Sequence, residues 1–127
     1  MVEILKSLAD ENRFRLFYLL AHDEFCVCEI EVFLNMSQSN VSRHLSKLKS
    51  CGIIVSKKEA QWVHYRVSSQ FKAQYSGLVD DILGNASSMQ IIKEDANRVE
   101  QYKKFGLDCQ MVTSDKEKVI TKINSLI

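Results

Sequence analysis

The chain has no proline and only four glycines in 127 residues. That composition disfavours a loop-rich architecture and suits a mostly helical one. No apolar run approaches the roughly 18 residues that a membrane-crossing helix needs. No basic-then-apolar leader opens the chain, so a cytoplasmic protein with no membrane partner is expected. Charge of one sign is not in excess either: 17 Lys and Arg face 16 Asp and Glu, for a formal net charge of +1. The total therefore carries no message about nucleic acid. No glycine cluster offers a phosphate cradle, and no cysteine is followed five or six places later by arginine, so a nucleophilic-cysteine enzyme is not expected. No histidine follows His64, and no cysteine precedes Cys26. No repeat or low-complexity segment occurs. In such a protein the four cysteines do not read as a disulfide framework; metal binding or redox sensing is the better use of them.

What is present is a patterned stretch, Ser37 to Leu48. Ser37 is a good N-cap. Val41, Leu45 and Leu48 fall at i, i+4, i+7 and form one apolar face. The other face carries Gln38, Ser39, Asn40, Ser42, Arg43 and Lys47, with no acid. Those are groups that read base edges and grip phosphates, although an ordinary polar surface helix is the alternative. Upstream, Cys26 to Leu34 has a short helical pattern, and Asn35-Met36 is a turn of helix-turn-helix length, with Asn35 able to take the left-handed conformation. Downstream, Cys51-Gly52 ends the helix. Ile53 to Lys58 and Trp62 to Val67 then read as a β-hairpin with Lys57, Lys58 and Gln61 at its tip. Residues 37–66 hold six basic side chains (Arg43, Lys47, Lys49, Lys57, Lys58, Arg66) and one acid, Glu59. The acids gather elsewhere, so the charge distribution carries the nucleic-acid footprint that the total lacks. The expected fold is mainly α with a small β-hairpin wing: a winged helix-turn-helix.

The rest of the chain frames this unit. Val2 to Leu8 is a short helix. Asp10 caps a second helix running to about His22, with Phe14, Phe17, Tyr18 and Ala21 on its core face, and no chemistry is visible in it. Ser68 or Ser69 caps a long helix carrying Phe71, Tyr75, Leu78, Val79, Ile82 and Leu83, broken or frayed at Gly84-Asn85. The first 84 residues are expected to form the DNA-binding domain, to which the resemblance below adds dimerisation. Residues 85–127 form a helical extension that packs on the domain or across a dimer. Within it a helix reaches Gly106, and Leu107 to Thr113 is a connection holding Cys109. Ser114 and Glu117 then form a capping box for a last helix with Val119, Ile120, Ile123 and Leu126 on one face.

SNVSRHLSKLKSCGII, the aromatic WVHYRV run and Leu8 to Arg13 resemble the arsenic-repressor (ArsR/SmtB) family of bacterial metal-sensing repressors, over about residues 4 to 83. Glu24-Phe25-Cys26-Val27-Cys28-Glu29-Ile30 is similar to that family's thiolate metal box. The resemblance implies a homodimeric repressor on operator double-stranded DNA, released when an ion binds. It also implies that the first and last helices of the domain form the dimer seam. His44 lies in the family's Ser-Arg-His-Leu run and either packs or touches phosphate. Family arsenic sensors often carry a third cysteine three places after the second; here that position is Glu31. Cys109 is the candidate third sulfur, from its own or the partner subunit, against the alternative of an incidental tail thiol.

Cadmium and lead sensors of the family add thiols from an N-terminal arm, and zinc sensors use Asp, His and Glu on the last helix. Neither pattern is here, which leaves arsenite or antimonite as the inducer, held by Cys26, Cys28 and Cys109. The alternatives are buried structural cysteines, a thiol redox sensor bridging Cys109 to Cys26 or Cys28, and a cadmium or zinc sensor. His22 is a borderline-soft ligand for that last case, or a solvated loop histidine. Cys51 reads as structural.

Two thiols at i and i+2 in a regular helix point about 200° apart. Closing them on one ion is therefore expected to distort the first turn, a strain that is smaller at the helix start. The helix N-terminus is expected to lower the thiol pKa. Ala60 stands where the family usually has glycine at the wing turn, so a longer tip or another turn type is expected.

Overall fold

Asp10 ends one helix and starts the next. Its carboxylate accepts from the backbone N–H groups of Asn12 and Arg13 at 2.9 and 3.1 Å. This caps α2 (Glu11–His22), which follows α1 (Val2–Leu8), in the computed structural model, which describes residues 1–124. Leu126 lies outside the described residues. Leu16, Phe17 and Leu20 of α2 are fully buried, while Phe14 and Tyr18 are only half-buried.

After α2 the chain makes a two-residue strand, β1 (Phe25–Cys26), then α3 (Val27–Leu34). Asn35 takes the left-handed conformation at φ 54°, ψ 53°. It turns the chain into α4 (Gln38–Ser50), capped by the Ser37 hydroxyl on the Asn40 N–H. β2 (Ile54–Glu59) and β3 (Trp62–Val67) form the hairpin, in register from Ile54 opposite Val67 to Glu59 opposite Trp62. The sheet order is β1-β3-β2, all antiparallel. β1 went unread in the sequence because two residues carry no periodicity. It matters here because it pairs Cys26 with His64 on the wing.

The tip is no longer than two residues, contrary to one expectation. Ala60 adopts φ +55° despite its Cβ, and Gln61 is not among the positive-φ residues. A single positive φ at the first central position fits a type II′ turn rather than type I′.

The long helix expected after Ser68 is two helices. α5 (Ser69–Gln74) and α6 (Ser76–Ala86) meet at Tyr75, where φ −119° and ψ 39° leave the helical region. Gly84-Asn85 does not break α6, which runs on to Ala86 because the Asn85 side chain donates to the Asp81 carbonyl.

The extension continues as α7 (Gln90–Lys104), α8 (Cys109–Ser114) and α9 (Lys116–Asn124). Two expectations fail here. The segment around Cys109 is a helix, because Asp108 caps it through the Met111 N–H at 2.9 Å. The cap of α9 is Asp115, which accepts from the Lys118 N–H, rather than Ser114. Tyr102, Val112, Val119 and Ile123 join the same buried cluster as Phe17 and Phe33.

The extension is fastened to the domain by buried charge. Arg15 of α2 donates from Nε and Nη2 to the two oxygens of Asp95 on α7, both at 2.8 Å. Its Nη2 also reaches the Leu34 carbonyl at 2.9 Å. Arg98 adds a contact to Asp95 and one to the Phe33 carbonyl. Two guanidinium groups thus satisfy carbonyls at the C-terminal end of α3, where helices favour cations. Asp95→Ala leaves Arg15 buried and uncompensated. It should lower unfolding free energy by about 3 kcal/mol, read from the urea midpoint. A loss below about 1 kcal/mol would mean that the guanidinium finds water and the pair does not hold the extension.

Candidate thiol site and nucleic-acid interface

Cys26 is the N-cap of α3, in extended backbone at φ −88°, ψ 167°. Cys28 is two residues on, in the first turn. The wide angle between i and i+2 positions of a regular helix therefore does not apply. The two Sγ atoms already lie 3.0 Å apart. No unwinding of α3 is needed to bring them together, which overturns the expected distortion of the first turn.

The extension delivers the third sulfur. α8 crosses α3 and sets Cys109 so that the Sγ atoms of Cys26, Cys28 and Cys109 all lie within 4.8 Å of one another. All three belong to one subunit. Cys26 and Cys109 are buried and Cys28 is half-buried. Glu31 occupies the place of the third family cysteine and points its charge elsewhere: it accepts from Lys116 Nζ at 2.7 Å, pinning the start of α9 to α3. Three soft donors with an excluded carboxylate suit a thiophilic ion and fit poorly with a hard cation.

The helix N-terminus does not activate the Cys26 thiol, contrary to expectation. The hydrogen bond with Cys28 and then burial push the Cys26 thiol up, and the Glu29 charge adds to it. Burial and then the Cys26 sulfur push Cys109 up. At Cys26 the contact with Cys28 and burial outweigh the dipole. Glu29 also makes a capping box with Cys26, accepting the Cys26 N–H at 3.0 Å. Its other oxygen accepts from the Tyr102 hydroxyl at 2.5 Å. Burial, then this carboxylate, raise the tyrosine so that it stays a donor. His22 stays outside the cluster, with Nδ1 on the Tyr18 carbonyl. Cys51 is remote from it, against the Ser7 hydroxyl at 3.0 Å.

On α4 the structure exposes Gln38, Ser39, Asn40, Ser42, Arg43 and Lys47 on one face and buries Val41, Leu45 and Leu48 on the other. Arg43 donates to the Asn40 side chain at 3.3 Å. Lys57, Lys58 and Gln61 are exposed on the wing, with Lys57 paired to Glu59 at 2.9 Å. His44 is a correction. It is 3% exposed, with Arg13 Nη1 3.4 Å from its Nδ1. Burial holds this imidazole below its ordinary pKa, so it is a neutral acceptor inside the domain and not a DNA contact. It sits between Arg43 and Leu45, and its helical position alone put it close enough to the apolar stripe to signal this.

Sequence reasoning missed Arg15, Asp95, Tyr102 and Lys116. Arg15 could have been flagged, since a charge between the apolar neighbours Phe14 and Leu16 needs a buried partner. Its partner lies too far along the chain for any local pattern to name.

A basic, acid-free helix carried by a helix-turn-helix, flanked by a β-wing and joined to a cluster of three thiols, defines a winged DNA-binding regulator. Comparison with known proteins agrees. Residues 10–56 match the family described as "Bacterial regulatory protein, arsR family". The chain is 37% identical over 81 residues to the arsenical resistance operon repressor of Escherichia coli K12, covering 63% of this chain and 69% of that protein. It is 44% identical over 69 residues to the arsenic resistance transcriptional regulator ArsR2 of Pseudomonas putida, covering 54% of this chain and 60% of that one. Among solved structures, reduced HlyU from Vibrio cholerae superposes with a TM-score of 0.54 at 37% identity, over 61% of this chain and 82% of that one. The chain belongs to the ArsR family of DNA-binding transcriptional regulators. The family match ends well before the extension that brings Cys109. Among the described residues no helix is long and apolar enough to cross a membrane.

Arg43→Ala should weaken operator binding across salt concentrations, while Lys58→Ala should mainly flatten the salt dependence by about one unit of log–log slope. Fluorescence anisotropy on promoter DNA checks both. Wild-type affinity in Arg43→Ala would move the reading surface off α4.

Proposed function

We propose that this chain is a homodimeric repressor, working in the cytoplasm, that releases operator DNA when arsenite or antimonite binds Cys26, Cys28 and Cys109. The observation that carries the reading is the convergence of those three sulfurs. Trivalent arsenic and antimony want three soft ligands in a pyramid. As neutral As(OH)3, arsenite exchanges its three hydroxides for three thiols: each S–H proton leaves with one hydroxide as water, with no change of oxidation state. Cys26 and Cys109, whose thiols are pushed up, suit such a ligand.

The chain's own residues then link the site to DNA. Cys26 is both the start of α3 and the end of β1, so it touches the helix that carries α4 and the strand that pairs with the wing. Drawing α8 onto Cys26 and Cys28 shifts the setting of both. In a dimer this changes the spacing of the two reading helices. Dimerisation through α1 and α6 is supported by exposed Val2 and Leu5 and half-buried Leu78, Ile82 and Leu83. The exposed faces of α4 and the wing hold the operator through Gln38, Ser39, Asn40, Ser42, Arg43, Lys47, Lys57, Lys58 and Gln61.

Anisotropy of the reduced protein on its promoter, titrated with arsenite, tests this. Stoichiometric arsenite should release DNA, and Cys26→Ser, Cys28→Ser and Cys109→Ser should each hold DNA at that dose. If Cys109→Ser responds like wild type, the third sulfur is not a ligand. If only an oxidant releases DNA, the thiols form a redox sensor instead.

The raised pKa values of Cys26 and Cys109 give a second test. Below those values the protons stay on sulfur, and a divalent cation must displace them. Cadmium affinity should therefore fall as pH falls, by up to about tenfold per pH unit for each proton displaced. Arsenite affinity should stay nearly flat over the same range. Parallel calorimetric titrations between pH 6 and 8, values chosen as roughly bracketing neutrality, compare the two. A cadmium curve as flat as the arsenite curve would mean that the thiols are already ionised.

A further inference from the structure

Glu29 stands beside the three sulfurs without being one of the convergent donors. It is fixed from both sides, by the Cys26 N–H at 3.0 Å and by the Tyr102 hydroxyl at 2.5 Å. Glu29 is 8% exposed and Tyr102 3%. Both hydrogen-bond partners are neutral, and none of the ion pairs among the described residues includes Glu29. Its charge is felt at both Cys26 and Cys109.

Three thiolates carry three negative charges. With trivalent arsenic or antimony the centre is neutral. With divalent cadmium, lead or zinc it is left with one negative charge. Next to a buried anion the second case is disfavoured, because repulsion in a poorly solvated site is weakly screened.

We infer that Glu29 sets the ligand selectivity of the thiol site: its buried carboxylate, locked between the Cys26 backbone and Tyr102, disfavours divalent thiophilic cations and leaves trivalent metalloids unaffected. The inference rests on the thiol-site reading above. Tyr102 is the positioning residue, since the extension sets the carboxylate through it. The position Glu31 would fill in a local three-cysteine box is empty of charge toward the site, because Lys116 holds that carboxylate. Glu29 therefore carries the discrimination.

The test is calorimetric titration of the reduced, full-length protein with cadmium chloride and, separately, with arsenite. Glu29→Gln keeps an oxygen for the Cys26 N–H and an amide for the Tyr102 oxygen, but removes the charge. Cadmium affinity should rise by about tenfold or more, while arsenite affinity stays within about threefold. Glu29→Ala should change the cadmium-to-arsenite ratio in the same direction. Tyr102→Phe loosens the site but keeps the charge, and should not raise that ratio. If the neutral variants move both affinities alike, or neither, the selectivity role is wrong while the thiol site stands. If wild type binds neither ion, the thiol-site reading fails and this inference falls with it.

Discussion

Arg15 and Asp95 form the contact on which the rest of the arrangement depends. Two charges that leave water must meet in good geometry, and here they meet in a two-point contact with both oxygens engaged. A buried pair of this kind contributes little net stability but fixes which surfaces dock. It sets α7 against α2 and the end of α3. Everything else in the extension hangs from α7: Tyr102 reaches Glu29, α8 brings Cys109, and Lys116 of α9 ties to Glu31. The third sulfur is placed at the start of α3 by ionic chemistry at its far end.

α3 is therefore held at both termini by the extension and leads directly into α4 through the left-handed Asn35. Its first residues belong to the thiol site and its last carbonyls to Arg15 and Arg98. On the proposed reading, a displacement of α3 would pass to the reading helix that it leads into. β1 gives a second route, because the backbone of Cys26 is hydrogen-bonded into the wing sheet beside His64.

Much of the fold was legible. Caps at Asp10 and Ser37, the Asn35 turn, the apolar stripe of α4 and the β-branched hairpin are local signals, and they were read at nearly the observed boundaries. What escaped was non-local or too short. β1 has two residues. The break at Tyr75 interrupts an unbroken apolar period, so the period alone does not mark it. Glu29 could be named as part of a box, but its hydrogen bond to Tyr102 needed the extension's path. At the site, Cys26 and Cys28 were named from the resemblance to the family box, and Cys109 as a candidate third sulfur, which the fold brings close to the other two. The geometry of the pair was misjudged because an N-cap residue does not share the helical rotation that the periodicity argument assumes. His44 was left between packing and touching phosphate, and its burial beside the apolar stripe of α4 decides for packing.

The thiol trio is discontinuous in sequence, with two members early and one near the end. Domains fold from the N-terminus as the chain is made. The reading helix and the wing both precede Cys109 in the chain. On the reading proposed above, a chain lacking Cys109 would keep its reading helix and wing but hold only two of the three sulfurs, and so would be deaf to the ion.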